Sequence, residues 1–136
     1  MNPYKNNKID GQFLKVPREK WKYDLGSGVT KVVTKLRIKP GYVTNDTRFK
    51  DFTLQGSNNN SDWDTIYTGQ VVENSVAWQD FTFSNSIAYR YYMLHGTTSW
   101  NIGAGSWWSI WEIEMRMPIH MIILIELLSF ILIVQS

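Results

Sequence analysis

The sequence predicts an all-β protein, an antiparallel sandwich or barrel, on three observations. Apolar residues recur with period two rather than 3.6 along most of the chain. Clusters of Gly, Asn, Ser and Pro interrupt these runs about every 8–12 residues. The composition is rich in rings, with 7 Trp, 7 Tyr and 6 Phe, but only 19% of residues are charged. Aromatic side chains favour the pleated, half-buried surface of a strand.

The elements follow in order. Residues 21–25 form a short first candidate, closed by Gly26-Ser27-Gly28. Next, Val32, Thr34, Leu36 and Ile38 point one way while Val33, Lys35, Arg37 and Lys39 point the other, up to Pro40-Gly41. Such alternation marks a strand with one buried and one wet face. Phe52 and Leu54 then alternate with Thr53 and Gln55. Asn58-Asn59-Asn60-Ser61 is a hairpin signal, because Asn tolerates a left-handed backbone better than other non-glycine residues. Residues 65–68 are a second short candidate. Phe81 and Phe83 alternate with Asp80 and Thr82; Tyr89, Tyr91 and Met93 with Arg90, Tyr92 and Leu94; Trp111, Ile113 and Met115 with Glu112 and Glu114. About seven or eight strands result, with no helix needed and no internal repeat.

Length and composition exclude several classes. At 136 residues one domain is expected. The absence of Cys excludes disulfides, thiolate zinc sites, iron–sulfur centres and a Cys nucleophile. With 14 Lys plus Arg against 12 Asp plus Glu, both scattered, no nucleic-acid footprint is present. The 2 His stand far apart, at His95 and His120, and form no metal cluster. No Ser-His-Asp order and no phosphate loop occurs, and Gly103-Ala104-Gly105 lacks the strand–helix context of a dinucleotide fingerprint. Glu112 and Glu114 share one face of a strand, which fits metal or Lys/Arg pairing as well as acid–base chemistry. The expectation is a protein that is not an enzyme and requires no cofactor.

The two ends of the chain differ from the body. Residues 1–20 are polar and basic and lack the apolar run of about 7–15 residues of a signal peptide. The expectation is a chain cytoplasmic as it stands, or a fragment exported by a signal elsewhere. Residues 119–134 read IHMIILIELLSFILIV, with His120, Glu126 and Ser129 as the polar side chains. As a helix this segment reaches about 24 Å, short of the about 30 Å hydrocarbon core. It reads as a marginal membrane anchor, an element packed on the sandwich, or a translated sequence foreign to the domain, the last being preferred. The expected division is therefore a β-sandwich over 1–117 and an apolar tail over 118–136.

Four segments carry a family resemblance. Residues 51–63, DFTLQGSNNNSDW, resemble the commonest signature of discoidin, or coagulation-factor type C, domains: a strand ending in Gln-Gly-Ser-Asn, a tight turn, and a Trp six residues after the Ser. Ser57 and Trp63 keep that spacing, with Asn59-Asn60 at the usual Asp-Gly. Trp21-Lys-Tyr-Asp-Leu-Gly26 resembles the family's W-x-x-D-L-G strand. Ala88-Tyr-Arg-Tyr-Tyr-Met-Leu94 resembles its Y-R-Y strand, and Ile110-Trp-Glu-Ile-Glu-Met115 its closing strand. The four occur in the family's order across residues 9–115. The resemblance implies a jelly-roll β-sandwich of galactose-binding-like topology. It implies binding without catalysis, to carbohydrate in bacterial and viral modules and to phospholipid head groups or protein partners in animal ones. At the N-terminus, Ile9-Asp10-Gly11 matches the family's Asp-Gly, but Gln12-Phe13-Leu14-Lys15 lacks the Thr-x-Trp that follows it, and the first strand looks shortened. The resemblance implies a structural calcium ion held by Asp10, Glu112 and backbone carbonyls.

The resemblance also gathers three loops, 12–20, 40–49 and 95–107, at one end of the sandwich. The second offers Tyr42, Asn45, Asp46 and Arg48; the third offers His95, Trp100, Asn101 and Trp107 among small residues. An aromatic face stacks on the C–H side of a pyranose, and Asn, Arg and His direct hydrogen bonds to hydroxyls. The candidate ligand-binding residues are therefore Tyr42, Asn45, Arg48, His95, Trp100, Asn101 and Trp107. Five of them have an alternative: His95 as a structural histidine, Asn45 and Arg48 as solvated loop residues, Trp100 and Trp107 as buried rings. Trp21, Trp63 and Trp111 read as core, Trp78 as undecided at a strand edge, and Arg90 as an ion-pair partner. The functional expectation is a glycan-recognition module at a cell or virion surface. The alternatives are a phospholipid- or protein-binding adhesion module that meets a membrane surface, and an accessory module of a larger glycoside hydrolase or phage protein.

Overall fold

The computed structural model describes residues 8–9, 14–16, 20–40, 50–72, 77–98 and 110–118. Among them every regular element is a strand: β1 (Leu14–Val16), β2 (Lys20–Asp24), β3 (Lys35–Pro40), β4 (Asp51–Ser57), β5 (Asp64–Gln70), β6 (Gln79–Thr82), β7 (Tyr91–Gly96) and β8 (Ile110–Arg116). They form two antiparallel sheets, one of five strands ordered β1-β2-β7-β4-β5 and one of three ordered β6-β3-β8. This is the all-β antiparallel sandwich that the alternation predicts. Among the described residues no helix is long and apolar enough to cross a membrane. Residues 119–136, which hold the apolar tail, lie outside the described residues.

The inner faces follow the sequence pattern where strands are regular. Phe52 and Leu54 of β4, Leu36 and Ile38 of β3, and Met115 of β8 are all buried in one core with Trp21. Two segments break phase. Val33, expected on the wet face, is fully buried, because β3 begins only at Lys35 and the chain before it is held irregularly. There Thr34 donates its backbone N–H to Arg116 O, and Phe83 donates its own to Thr34 O. Similarly, Tyr92 and Leu94 face the core with Tyr89, whereas Tyr91 is half-buried on the other side. Tyr89 precedes β7 and pairs with Lys31 in an isolated bridge, so the period restarts after Arg90.

Rings tie the sheets together. Phe52 of β4 meets Phe81 of β6 edge-on at 5.0 Å, and Tyr67 of β5 lies 6.1 Å from both. Tyr67 stacks on Phe83 at 5.1 Å. Edge-to-face and offset pairs at these separations add about 0.5–1.5 kcal/mol each beyond area burial. The turns are as expected from composition: Asn60 takes φ 63°, and Gly26 and Gly28 take 111° and 76°. Ser57, buried, accepts the Asn60 N–H at 2.9 Å, and Asn59 Oδ1 accepts the N–H groups of Ser61 and Asp62 at 2.9 and 2.8 Å.

The outer face of the three-stranded sheet is a charge ladder. Arg37 binds Asp80 at 2.8 Å and Glu114 at 3.1 Å; Lys35 reaches Asp80 at 3.3 Å, and Arg116 and Lys8 reach Glu114 at 3.2 and 3.7 Å. Glu114 therefore pairs with cations. Arg37 lowers the Asp80 pKa through its hydrogen bond. Burial pushes Glu114 upward, but Arg116, Lys8 and Arg37 together hold it below its usual value. A folded-state pKa below the unfolded one means that the unfolded chain binds more protons as pH falls, so this contribution is present above the ordinary carboxylate range and lost in acid. Urea unfolding is therefore expected to give constant stability down to about pH 5 and a decline below about pH 4. Arg37→Gln shrinks that decline by on the order of 1 kcal/mol; equal declines in the two proteins would remove Arg37 as its source.

Candidate functional site

Strand direction brings the connections to one end. β3 finishes at Pro40 opposite Ile110, where β8 begins. In the other sheet Phe52, near the start of β4, pairs with Gly96 at the end of β7, and Asp51 pairs with Gln70 at the end of β5. Lys20, where β2 begins, pairs with Val16 on one side and His95 on the other. β6 begins at Gln79 opposite Ile38. The connections 17–19, 41–49, 73–76 and 99–109 therefore all leave from this end. The sequence candidates Tyr42, Asn45, Arg48, Trp100, Asn101 and Trp107 belong to two of these connections and lie outside the described residues, as does Asp10.

His95 is the ligand candidate within the described residues, and it stands on β7 rather than in the loop. The strand continues through Gly96, so the connection starts later than composition indicates. Its neighbours Leu94 and Gly96 face the core, which puts His95 on the outer face between Lys20 of β2 and Thr53 of β4. It is half-buried, one residue from the strand end.

The base of the loop end is a hydrogen-bonded node around Asp51, a residue that sequence reasoning missed. Thr98 Oγ1 donates to Asp51 Oδ2 at 2.6 Å, and Gln70 Nε2 donates to Asp51 Oδ1 at 2.9 Å. The Thr98 hydroxyl, followed by Gln70, holds the Asp51 carboxyl below its usual pKa. Gln79 closes the adjoining connection: its Oε1 accepts the Val72 N–H at 2.8 Å. Next to Gln79, at the same end, Trp78 is half-buried under two cations, with the Arg37 guanidinium 4.7 Å and the Lys39 ammonium 5.9 Å from its ring centroid. That contact gives Trp78 a cation–π role on the sheet surface.

Other assignments resolve by geometry. Arg90 forks onto Asp24 at 2.8 and 3.0 Å and lies 4.7 Å over the Tyr91 ring, which makes it the ion-pair partner expected. Trp21 is core, whereas Trp63 is half-buried and meets Tyr91 edge-on at 6.5 Å, away from the core cluster. The Trp111 side chain lies outside the described residues. For calcium, Glu112 is exposed on β8 opposite Lys39, and Glu114 is occupied by Arg37, Arg116 and Lys8. Among the described residues no three His, Cys, Asp or Glu converge on a point where a metal ion could sit. Grooves at the opposite end, one of about 670 Å³ between Val32, Phe83 and Pro118 and one of about 470 Å³ beside Asp64 and Ile87, hold no cluster of catalytic groups.

Solved structures share this architecture. CBM62 of Clostridium thermocellum Xyl5A superposes with a TM-score of 0.60 at 23% identity, over 82% of this chain and 81% of that one. CpGH89CBM32-5 of Clostridium perfringens, solved in complex with GalNAc-beta-1,3-galactose, gives 0.58 at 16% identity, over 71% of this chain and 64% of that one. The family 32 CBM of C. perfringens NanJ, in complex with galactose, gives 0.55 at 19% identity with the same coverage, 71% and 64%. The chain thus spans less than two thirds of the length of these two family 32 structures. No curated protein sequence matches it. A family model does match: residues 5–113 fit the F5/8 type C domain, and the chain belongs to that family.

Proposed function

We propose that this chain is a non-catalytic carbohydrate-binding module whose ligand is gripped by connections 41–49 and 99–109. The observation that carries the reading is topological: the strand ends send both connections out of one end of an F5/8 type C sandwich. Solved neighbours of this fold hold galactose and GalNAc-beta-1,3-galactose, which supports a glycan as ligand. In this reading Trp100, Tyr42 and Trp107 supply ring faces for the apolar side of a sugar ring. Asn45, Arg48, Asn101 and His95 fix hydroxyl orientation through directed hydrogen bonds. Neither acid–base chemistry nor a bound metal is needed for this work. A module of this kind serves adhesion at a cell or virion surface, or targets an attached glycoside hydrolase to its substrate.

A glycan array probed with the full chain tests the reading. Binding to galactose- or N-acetylglucosamine-type glycans is expected, weakened at least about tenfold by Trp100→Ala. A blank array alongside binding to phospholipid vesicles would overturn it in favour of a membrane-adhesion module.

A further inference from the structure

Three connections at the loop end start or finish on segments that meet at a single residue. Lys50 and Asp51 follow connection 41–49, Thr97 and Thr98 precede 99–109, and Gln70 to Val72 precede 73–76. Lys50 N–H donates to Thr98 O at 2.6 Å, and Val71 N–H donates to Lys50 O at 2.8 Å. Asp51 N–H donates to Thr98 Oγ1 at 3.1 Å, while that hydroxyl donates back to Asp51 Oδ2 at 2.6 Å. Asp51 O accepts the Thr97 N–H at 2.8 Å and the Thr97 hydroxyl at 3.2 Å. Gln70 Nε2 occupies the remaining carboxylate oxygen at 2.9 Å. Asp51 thus engages both other segments with both of its carboxylate oxygens. A charged acceptor makes these bonds roughly twice as strong as neutral ones.

The two sides of this node belong to chain segments 47 residues apart. A β-ladder alone would align β4 with β7 only as far as Phe52 and Gly96. The bonds around Asp51 carry the registration two residues further, to the edges of the connections. An ionised acid suits the place because it accepts from two donors at once, Thr98 Oγ1 and Gln70 Nε2. An amide offers one acceptor oxygen where the carboxylate offers two.

We infer that Asp51 is a positioning residue for the loop end, holding the roots of connections 41–49, 73–76 and 99–109 in one fixed arrangement that ligand binding requires. The inference rests on the proposed glycan reading for its consequence, but its mechanical part stands on the node itself. Asp51 touches no ligand in this scheme; it acts through the three segments it joins.

Amide hydrogen exchange followed by NMR, with glycan affinity measured beside it, tests the inference on the full chain. Asp51→Asn and Thr98→Val are expected to speed exchange at Lys50, Asp51, Thr97 and Val71 about tenfold, while Asn60, Ser61 and Asp62 at the far end keep their rates. Thr98→Ser, which restores the hydroxyl, should return the rates to within about twofold of wild type. Asp24→Asn, which weakens the Arg90 ion pair at the far end, should leave the four reporter amides unchanged. Affinity for a galactose-terminated glycan is expected to fall about tenfold in Asp51→Asn and Thr98→Val and to recover in Thr98→Ser. Unchanged reporter amides, or acceleration spread equally to the far end, would overturn the positioning role. So would full glycan affinity in Asp51→Asn. If wild-type protein binds no glycan, the glycan reading fails by itself, and the exchange rates still decide whether Asp51 fixes the loop roots.

Discussion

Phe52→Ala is expected to lower the unfolding free energy by about 3–5 kcal/mol, a large share of the stability of a small domain. Phe52 is 0% exposed and belongs to β4, a central strand of the larger sheet. Its ring reaches across to Phe81 of the smaller sheet and sideways to Tyr67, at 5.0 and 6.1 Å. The neighbouring backbone is fitted to that ring: a Cβ added at Gly69 would come within 2.8 Å of Phe52 Cζ. Truncation leaves a cavity that Phe81, Tyr67 and Leu54 can close only by moving apart from strands that are themselves paired. The loss therefore combines transfer and cavity terms rather than burial alone. Denaturant unfolding with an unchanged m-value measures it. A loss below about 1.5 kcal/mol would show that the sheets are held together elsewhere, for instance by Leu36, Ile38 and Met115.

The sandwich was legible because it is built from the simplest signals a chain carries. Leu36, Ile38, Phe52 and Leu54 each alternate with a polar residue and each is fully buried. The Asn58–Asn60 triplet foretold a tight turn, and Asn60 adopts the left-handed backbone that only such residues accept readily. Legibility failed where the period was interrupted by irregular backbone. Val33 enters the core from irregular backbone and Tyr89 from an isolated bridge, so counting by twos from Leu36 or from Met93 assigns both to the wrong side. Trp63 misled for a different reason: the family spacing identified the residue, but a turn position beside β5 turns its ring toward Tyr91.

Composition nominates candidate site residues, but it does not reveal the node around Asp51. Rings and amides among Gly and Ser mark Tyr42, Asn45, Arg48, Trp100, Asn101 and Trp107 as candidates from sequence alone. Nothing in the local pattern distinguishes Asp51 or Thr98 from any polar residue at a strand terminus. Their importance arises from a hydrogen bond across 47 positions, which no periodicity encodes. His95 shows the converse limit. A histidine before a Gly/Thr/Ser run reads as a loop residue, yet backbone pairing to Lys20 and Thr53 keeps it on the strand.

Gly56→Ala is expected to destabilise the chain by about 1–3 kcal/mol or more, although it adds one methyl group. Gly56 lies on β4 just before Ser57, on the inner side of the sheet. A Cβ there would stand 2.4 Å from Tyr89 Cδ2, 2.6 Å from its Cγ and 2.8 Å from its Cε2. Cγ is the root of the ring, so no rotation of a flexible tip relieves the overlap. The ring is also fixed from both ends. Its hydroxyl donates to Asp64 Oδ2 at 3.0 Å, its edge meets Tyr92 at 5.8 Å, and its backbone pairs with Lys31. Glycine at this point of the family signature is thus required by the close approach of a ring, not by backbone torsion, since no positive φ is involved. A double-mutant cycle separates this cause from others. Tyr89→Ala alone creates a cavity and is itself destabilising, but in its background Gly56→Ala should become nearly neutral, giving a coupling of about 1–3 kcal/mol. Additive losses would refute the ring contact as the reason for glycine. Because Gly56 and Tyr89 sit at the end opposite connections 41–49 and 99–109, the folded Gly56→Ala protein should retain its ligand affinity while losing thermal stability. That separation of stability from binding is what the proposed recognition at one end of a rigid sandwich requires.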